Sequence, residues 1–104
     1  MAAEGKRTIS KREIAERVAR KAKQTQLVAK RIIQLFLDEL IEELARGNKL
    51  EFRDFGVFDV VQRKRRVGRN PRTGARVEVP AKRVVNFKMG RLMRDRVASP
   101  EGAE

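Results

Sequence analysis

Apolar residues first recur along this chain at helical spacing. Ile14, Val18 and Ala22 stand four apart with Ala15 and Ala19 beside them, a narrow stripe on a helix whose other faces carry Lys, Arg and Glu. Ser10 marks its start: the hydroxyl can accept from the amide of Glu13, Glu13 can reach back, and Ile9 can staple against Ile14. A second helix is predicted from a Thr25 N-cap to about Arg46, where Gly47 and Asn48 supply a left-handed stop. Placed at steps of about 100°, its apolar residues from Val28 to Leu44 spread over an arc of about 240°. Packing on a single core needs a stripe only about 100° wide, so this helix asks for burial on two sides. The second side is either the rest of a monomeric core or a symmetry-related copy. Five Phe with no Trp or Tyr offer little to surround the helix, which favours the dimer.

After Asn48 the period changes from 3.6 to 2. Leu50 and Phe52, then Phe58 and Val60, alternate with other residues across a Phe55-Gly56 turn, the pattern of an antiparallel hairpin. From Gln62 to Pro80 the large apolar residues are Val67, Val77 and Val79 alone, too few for a core. The turn signal Asn70-Pro71-Arg72-Thr73-Gly74 lies between runs that can pair, which predicts a two-stranded ribbon standing off the body. Ten residues of such a strand reach about 33 Å. Val85 and Phe87 restore the sheet alternation, and Arg91 to Val97 suit a short helix with Leu92, Met93 and Val97 facing inward. Burial of one Phe contributes about 1.5 to 3 kcal/mol, so Phe36, Phe52, Phe55, Phe58 and Phe87 are assigned to the core rather than to base stacking. The expected fold class is α+β, with a folded domain over residues 8–97, an arm over about 62–80, and disordered ends over residues 1–7 and 98–104.

Length and charge sharpen this picture. At 104 residues without cysteine the chain has room for one small domain and no disulfide to hold it, so help from a partner is expected. The absence of a long apolar run or an apolar leader points to a protein of the cell interior. The formal charge of +12 is unevenly placed: residues 1–60 hold 13 basic and 10 acidic groups, whereas residues 61–98 hold 13 basic groups against Glu78 and Asp95. Such a second half is built to face phosphates. Between Arg63 and Arg76 lie Arg63, Lys64, Arg65, Arg66, Arg69, Arg72 and Arg76 with no acid among them. Arginine suits a narrow minor groove, where the negative potential is concentrated. Lys82, Arg83, Lys88 and Arg91, with Arg94 and Arg96, add a second cluster on the body. Pro71 is either a plain turn former or an apolar wedge between base pairs, and composition alone favours the former.

Catalysis finds little support, since the chain lacks His, Cys and Tyr, the usual general bases, thiol nucleophiles and transition-metal ligands. Asp38, Glu39, Glu42 and Glu43 crowd the second helix and are better read as partners for nearby Arg and Lys than as a metal or acid/base site. No cofactor, metal, membrane or small-molecule substrate is expected. Double-stranded DNA is the favoured partner. An RNA-binding or ribosome-associated role is the alternative that the same charge would suit.

Phe55-Gly56-Val57-Phe58, then Gly68-Arg69-Asn70-Pro71-Arg72-Thr73-Gly74, then Val84-Val85-Asn86-Phe87-Lys88 together resemble the HU and integration host factor family of bacterial histone-like proteins, in order and without a gap over about residues 8–97. Ala81-Lys82-Arg83-Val84-Val85 and the ending Arg96-Val97-Ala98-Ser99-Pro100 look somewhat closer to integration host factor. The resemblance implies a non-catalytic, nucleoid-associated protein of the cytoplasm. It also implies an intertwined dimer, with itself or with a paralogue, having a helical base, a three-stranded antiparallel sheet per chain, two protruding β-arms and a short C-terminal helix. By that likeness Pro71 becomes the intercalating wedge. Arg63, Arg66, Arg69, Asn70, Arg72 and Arg76 match arm positions that contact DNA, and Lys82, Arg83, Lys88 and Arg91 the body surface beneath; with Lys64, Arg65, Pro71 and Thr73 the former make up the expected DNA-binding arm. The family is itself a standing example of minor-groove bending. Four positions depart from its pattern: Met89 replaces a proline, Lys23 a glycine, and Val61 and Val67 common basic residues.

Overall fold

The computed structural model describes residues 5–98, and the chain divides into two compact units, Met1–Leu40 and Ile41–Glu104. The expected disordered ends fall largely on residues 1–4 and 99–104, outside the described residues. The order of elements is α1 (Lys11–Ala22), α2 (Gln26–Ala45), β1 (Leu50–Phe52), β2 (Gly56–Arg63), β3 (Arg66–Arg69), β4 (Arg76–Val79), β5 (Lys82–Met89) and α3 (Arg91–Ala98), an α+β fold.

In the first unit, Ser10 is the N-cap of α1 and accepts from the Glu13 amide at 3.2 Å. The carboxylate of Glu13 does not close a capping box. It accepts instead from Arg7 at 2.8 Å and from Arg17 at 3.0 Å, and these contacts, the hydrogen bond from Arg7 first, hold its pKa below the ordinary carboxylate value. Thr25 caps α2 by accepting from the Val28 amide at 3.1 Å. Between the helices stands Lys23, in left-handed conformation at φ 56° and ψ 47°, its amide donating to Ala19 and Arg20 carbonyls. A Cβ in this region is strained, so α1 ends where the chain lacks its easiest residue.

The helices bury little on their own. Among the described residues only Ala15, Ala19 and Ala29 are buried apolar side chains, and no large side chain is fully buried. On α2, Leu27, Ile32, Leu35, Phe36 and Ile41 are 52–78% exposed. The broad apolar arc read from the sequence is therefore real and largely uncovered within one chain.

In the second unit α2 ends as expected. Gly47 has φ 89°, its amide donates to Leu44 and that of Asn48 to Glu43, which closes the helix with a left-handed cap. Asn48 also donates from its side chain to Glu43 at 2.8 Å. That bond first, then Arg46, lowers the Glu43 pKa. Strands β1, β2 and β5 form an antiparallel sheet in the order β1-β2-β5. The β1–β2 turn falls on Arg53-Asp54-Phe55 rather than on Phe55-Gly56, because Phe52 pairs directly with Gly56 and leaves Asp54 the left-handed residue at φ 68°. Gly56 is buried, and a Cβ there would come within 2.6 Å of the Phe87 ring. The rings of Phe52, Phe55, Phe58 and Phe87 meet edge-on or tilted at centroid distances of 4.6–6.4 Å. This cluster anchors one face of the sheet.

Met89 extends β5, and the following turn is held by Gly90, whose amide donates to Phe55 at 2.8 Å. The missing proline thus leaves this turn pinned. Of the α3 residues expected to face inward, Met93 is half-buried, whereas Leu92 and Val97 are exposed. Their apolar faces are additional surface that the single chain does not cover.

One expected outcome follows from Lys23. A left-handed non-glycine residue costs about 1–2 kcal/mol, and a glycine returns about 0.4–1 kcal/mol of that as extra freedom of the unfolded chain. Lys23→Gly should therefore stabilise the protein by about 0.5–1 kcal/mol, read as a higher urea midpoint at fixed protein concentration. An unchanged or lower midpoint contradicts the strain.

Candidate nucleic-acid interface

The cationic segment folds as a ribbon in two stages. Near the body, β2 and β5 remain paired out to Gln62↔Arg83 and Arg63↔Lys82. Further out, β3 and β4 form their own ladder from Arg66↔Val79 to Arg69↔Arg76. Between them Lys64-Arg65 on one strand and Pro80-Ala81 on the other leave the ladder. The sequence reading as one continuous ribbon missed this break. Pro80 has no amide hydrogen to donate, so the ladder cannot run through it unchanged. At the break Arg63, Lys64, Arg65, Arg66 and Lys82 line a cleft with Val79, Pro80 and Val84. Five cations around one recess form an anion-seeking site.

The tip is built by its own hydrogen bonds. The Asn70 side-chain oxygen accepts from the amides of Arg72 at 2.8 Å and Thr73 at 3.4 Å. The Asn70 carbonyl accepts from Gly74 at 2.7 Å, while the Asn70 amide donates to Ala75 at 2.9 Å. The Thr73 hydroxyl accepts from the Ala75 amide, and Arg69 donates to the Gly74 carbonyl at 3.1 Å. Gly74, at φ 76°, supplies the left-handed residue that closes the turn. Asn70 and Thr73 therefore shape the turn, and Pro71 and Arg72 are presented exposed on it.

Strand alternation assigns the remaining cations to faces. Register puts Arg63, Lys82 and Lys88 on one face of the β2–β5 ladder together with Asp59 and Asn86. Arg83 lies on the opposite face, with Val60, Val85 and Phe87. There its guanidinium donates to the carbonyls of Ala45 at 3.3 Å and Leu44 at 3.5 Å, where a cation meets the negative end of α2. The structure pairs Lys82 with Arg63, places Lys88 on the same face beside Val57 towards the other end of the ladder, and sets Arg83 apart from them as a helix cap. Arg91 opens α3, at the end where a cation opposes the helix dipole.

On the outer ladder Val67, Arg69, Arg76 and Glu78 share one face, and Arg66, Gly68, Val77 and Val79 the other. Arg65 donates to Glu78 at 2.7 Å. Glu78 was not among the site residues expected from the sequence. Its signal there was its isolation, as the single carboxylate between Asp59 and Asp95. Three of the four acids of α2 are engaged locally, Glu42 and Glu43 with Arg46 and Asp38 with Gln34. Among the described residues no group of acids could hold a metal ion, and no helix is long and apolar enough to cross a membrane.

Comparison with known proteins fits this architecture. The sequence model of the family described as "Bacterial DNA-binding protein" matches residues 9–98. Integration host factor subunit beta of Neisseria gonorrhoeae is 47% identical over 76 residues, spanning 70% of this chain and 73% of the relative. The probable DNA-binding protein HU of Chlamydia pneumoniae is 38% identical over 94 residues, spanning 89% and 94%. Among solved structures, an Anabaena HU in a cocrystal with DNA superposes with a TM-score of 0.80 at 40% identity, over 88% of this chain and 99% of that one. A mutant HU of Thermotoga maritima gives 0.62 at 28% identity, over 85% and 97%. With its two N-terminal helices, three-stranded sheet, two-stranded arm and closing helix, the chain belongs to the HU and integration host factor family of non-catalytic, architectural bacterial DNA-binding proteins.

Proposed function

We propose that this protein bends and compacts double-stranded DNA in the nucleoid as a homodimer, gripping the duplex with two arms that enter the minor groove and wedge Pro71 between base pairs. The observation that carries the reading is the arm itself: a purely cationic ribbon apart from Glu78, ending in a hydrogen-bonded turn that presents an exposed proline. A solvated charged face has no need of such a tip. Phosphates are neutralised by Arg63, Lys64, Arg66, Arg72 and Arg76 on the arm and by Lys82 and Lys88 below it, while the contacts that a bend permits offset the cost of unstacking. The minor groove offers a degenerate pattern of donors and acceptors, so such arms favour flexible or distorted DNA over a particular base order. The cocrystal of the Anabaena relative with DNA supports the partner.

The dimer is supported by what the chain leaves uncovered. Leu27, Ile32, Leu35 and Ile41 on α2 remain exposed, together with Leu92 and Val97 on α3. Apolar surface of this extent on a soluble chain marks an interface. A second copy supplies a matching surface. Sedimentation of the purified chain should give twice the monomer mass of 12.0 kDa, and a monomer at micromolar concentration would remove the dimer from the account.

Electrostatics and insertion can be tested separately. Affinity for duplex DNA should fall by about three to five decades between about 50 and 200 mM salt, as for about 6 to 10 phosphate contacts. A flat response rules against phosphate neutralisation. Pro71→Ala leaves every arm charge in place and removes the ring, so it should keep affinity within about threefold while losing most of the bend, read by energy transfer between labelled duplex ends. Unchanged bending refutes the wedge.

A further inference from the structure

We propose that Glu78 is a built-in competitor for phosphate, holding the Arg65 guanidinium across the free arm so that duplex DNA must displace a carboxylate before Arg65 can neutralise a backbone charge. The inference rests on the arm being the element that grips DNA.

Three observations carry it. First, Glu78 is the single carboxylate between Asp59 and Asp95, in a segment whose other charges are all positive. An acid placed there meets the repulsion of any polyanion the segment approaches. Second, the Arg65–Glu78 pair is the only ion pair that the described arm residues form, at 2.7 Å, with side chains 66% and 65% exposed. Both ends are open to exchange, and an exposed pair of this kind is weak. The two non-bridging oxygens of a tetrahedral phosphodiester can accept from both prongs of a guanidinium, as the two oxygens of a carboxylate do, so the exchange keeps the same donors in use.

Third, the pair sits at the break in the ribbon. Glu78 stands in β4 opposite Val67, and Arg65, two residues before Val67, reaches across to it at 2.7 Å. Arg65 itself lies in the segment without ladder pairing and lines the cationic cleft with Arg63, Lys64, Arg66 and Lys82. With Arg65 held by Glu78, one of the five cations of that cleft is neutralised in the free protein. Displacement restores it. Glu78 thereby lowers both the affinity of the arm and the number of counterions exchanged on binding.

A thermodynamic cycle tests this on the whole 104-residue chain, with a duplex oligonucleotide as probe. Glu78→Gln should bind about threefold or more tightly at about 50 mM salt, with a logarithmic salt slope steeper by about one. Both effects should largely vanish in the Arg65→Gln background, where no guanidinium remains to be released. Equal gains in the two backgrounds would mean that Glu78 merely repels phosphate, and weaker binding by Glu78→Gln would mean that the pair preorganises the arm. Either result overturns the proposal. Deleting residues 63–76 separates it from the reading beneath it: if that deletion leaves affinity unchanged, both fall, whereas lost affinity with an additive cycle removes only the role of Glu78.

Discussion

The structure depends above all on apolar surface that one chain cannot cover. α2 carries large aliphatic and aromatic side chains around most of its circumference, yet the only buried apolar side chains among the described residues are three alanines. At about 25 cal/mol per Å² of apolar area removed from water, a small domain that leaves its largest side chains half exposed forgoes the main term that offsets chain entropy. The local devices are all in place: Ser10 and Thr25 cap the helices, Gly47 stops α2, and four Phe rings meet over the sheet. Caps and turns decide where elements begin and end, and each contributes only about 1 kcal/mol. They cannot replace a core. In the dimer proposed above, association completes such a fold, and the same association brings two arms to one duplex.

The arm obeys the opposite rule. It has almost nothing to bury, so its order comes from the ladder, the Asn70 turn and the Arg65–Glu78 pair. Thirteen cations between residues 61 and 98 repel one another, and two acids do little to balance them. Such a segment is held at a cost in stability that has no return within the free protein. On the proposed reading, the return comes when these cations displace the counterions condensed on DNA phosphates.

Much of this was legible in the sequence, and what was not has a definite physical reason. Cap residues act through neighbours a few positions away, so Ser10, Thr25 and Gly47 were readable one by one, as was the Asn70–Gly74 turn. Register is a long-range property. Alternation says that Lys82 and Arg83 point to opposite faces, but only pairing with β2 places Arg83 beside Val60 and Phe87 and within reach of the α2 carbonyls. The same limit hid the ion pair, since thirteen positions separate Arg65 from Glu78. It also moved the β1–β2 turn, because Gly56 was read as a turn residue when its lack of a side chain serves the close approach of Phe87.

Pro80 shows how these levels join. Its ring interrupts the ladder, the interruption frees Lys64 and Arg65 from strand geometry, and the freed segment forms the wall of a cationic cleft between two rigid ribbons. A continuous strand would alternate its side chains strictly between faces and divide these arginines. The break lets successive basic residues line one recess. The clustering of charge at the base of the arm thus arises from one residue that cannot donate a hydrogen bond.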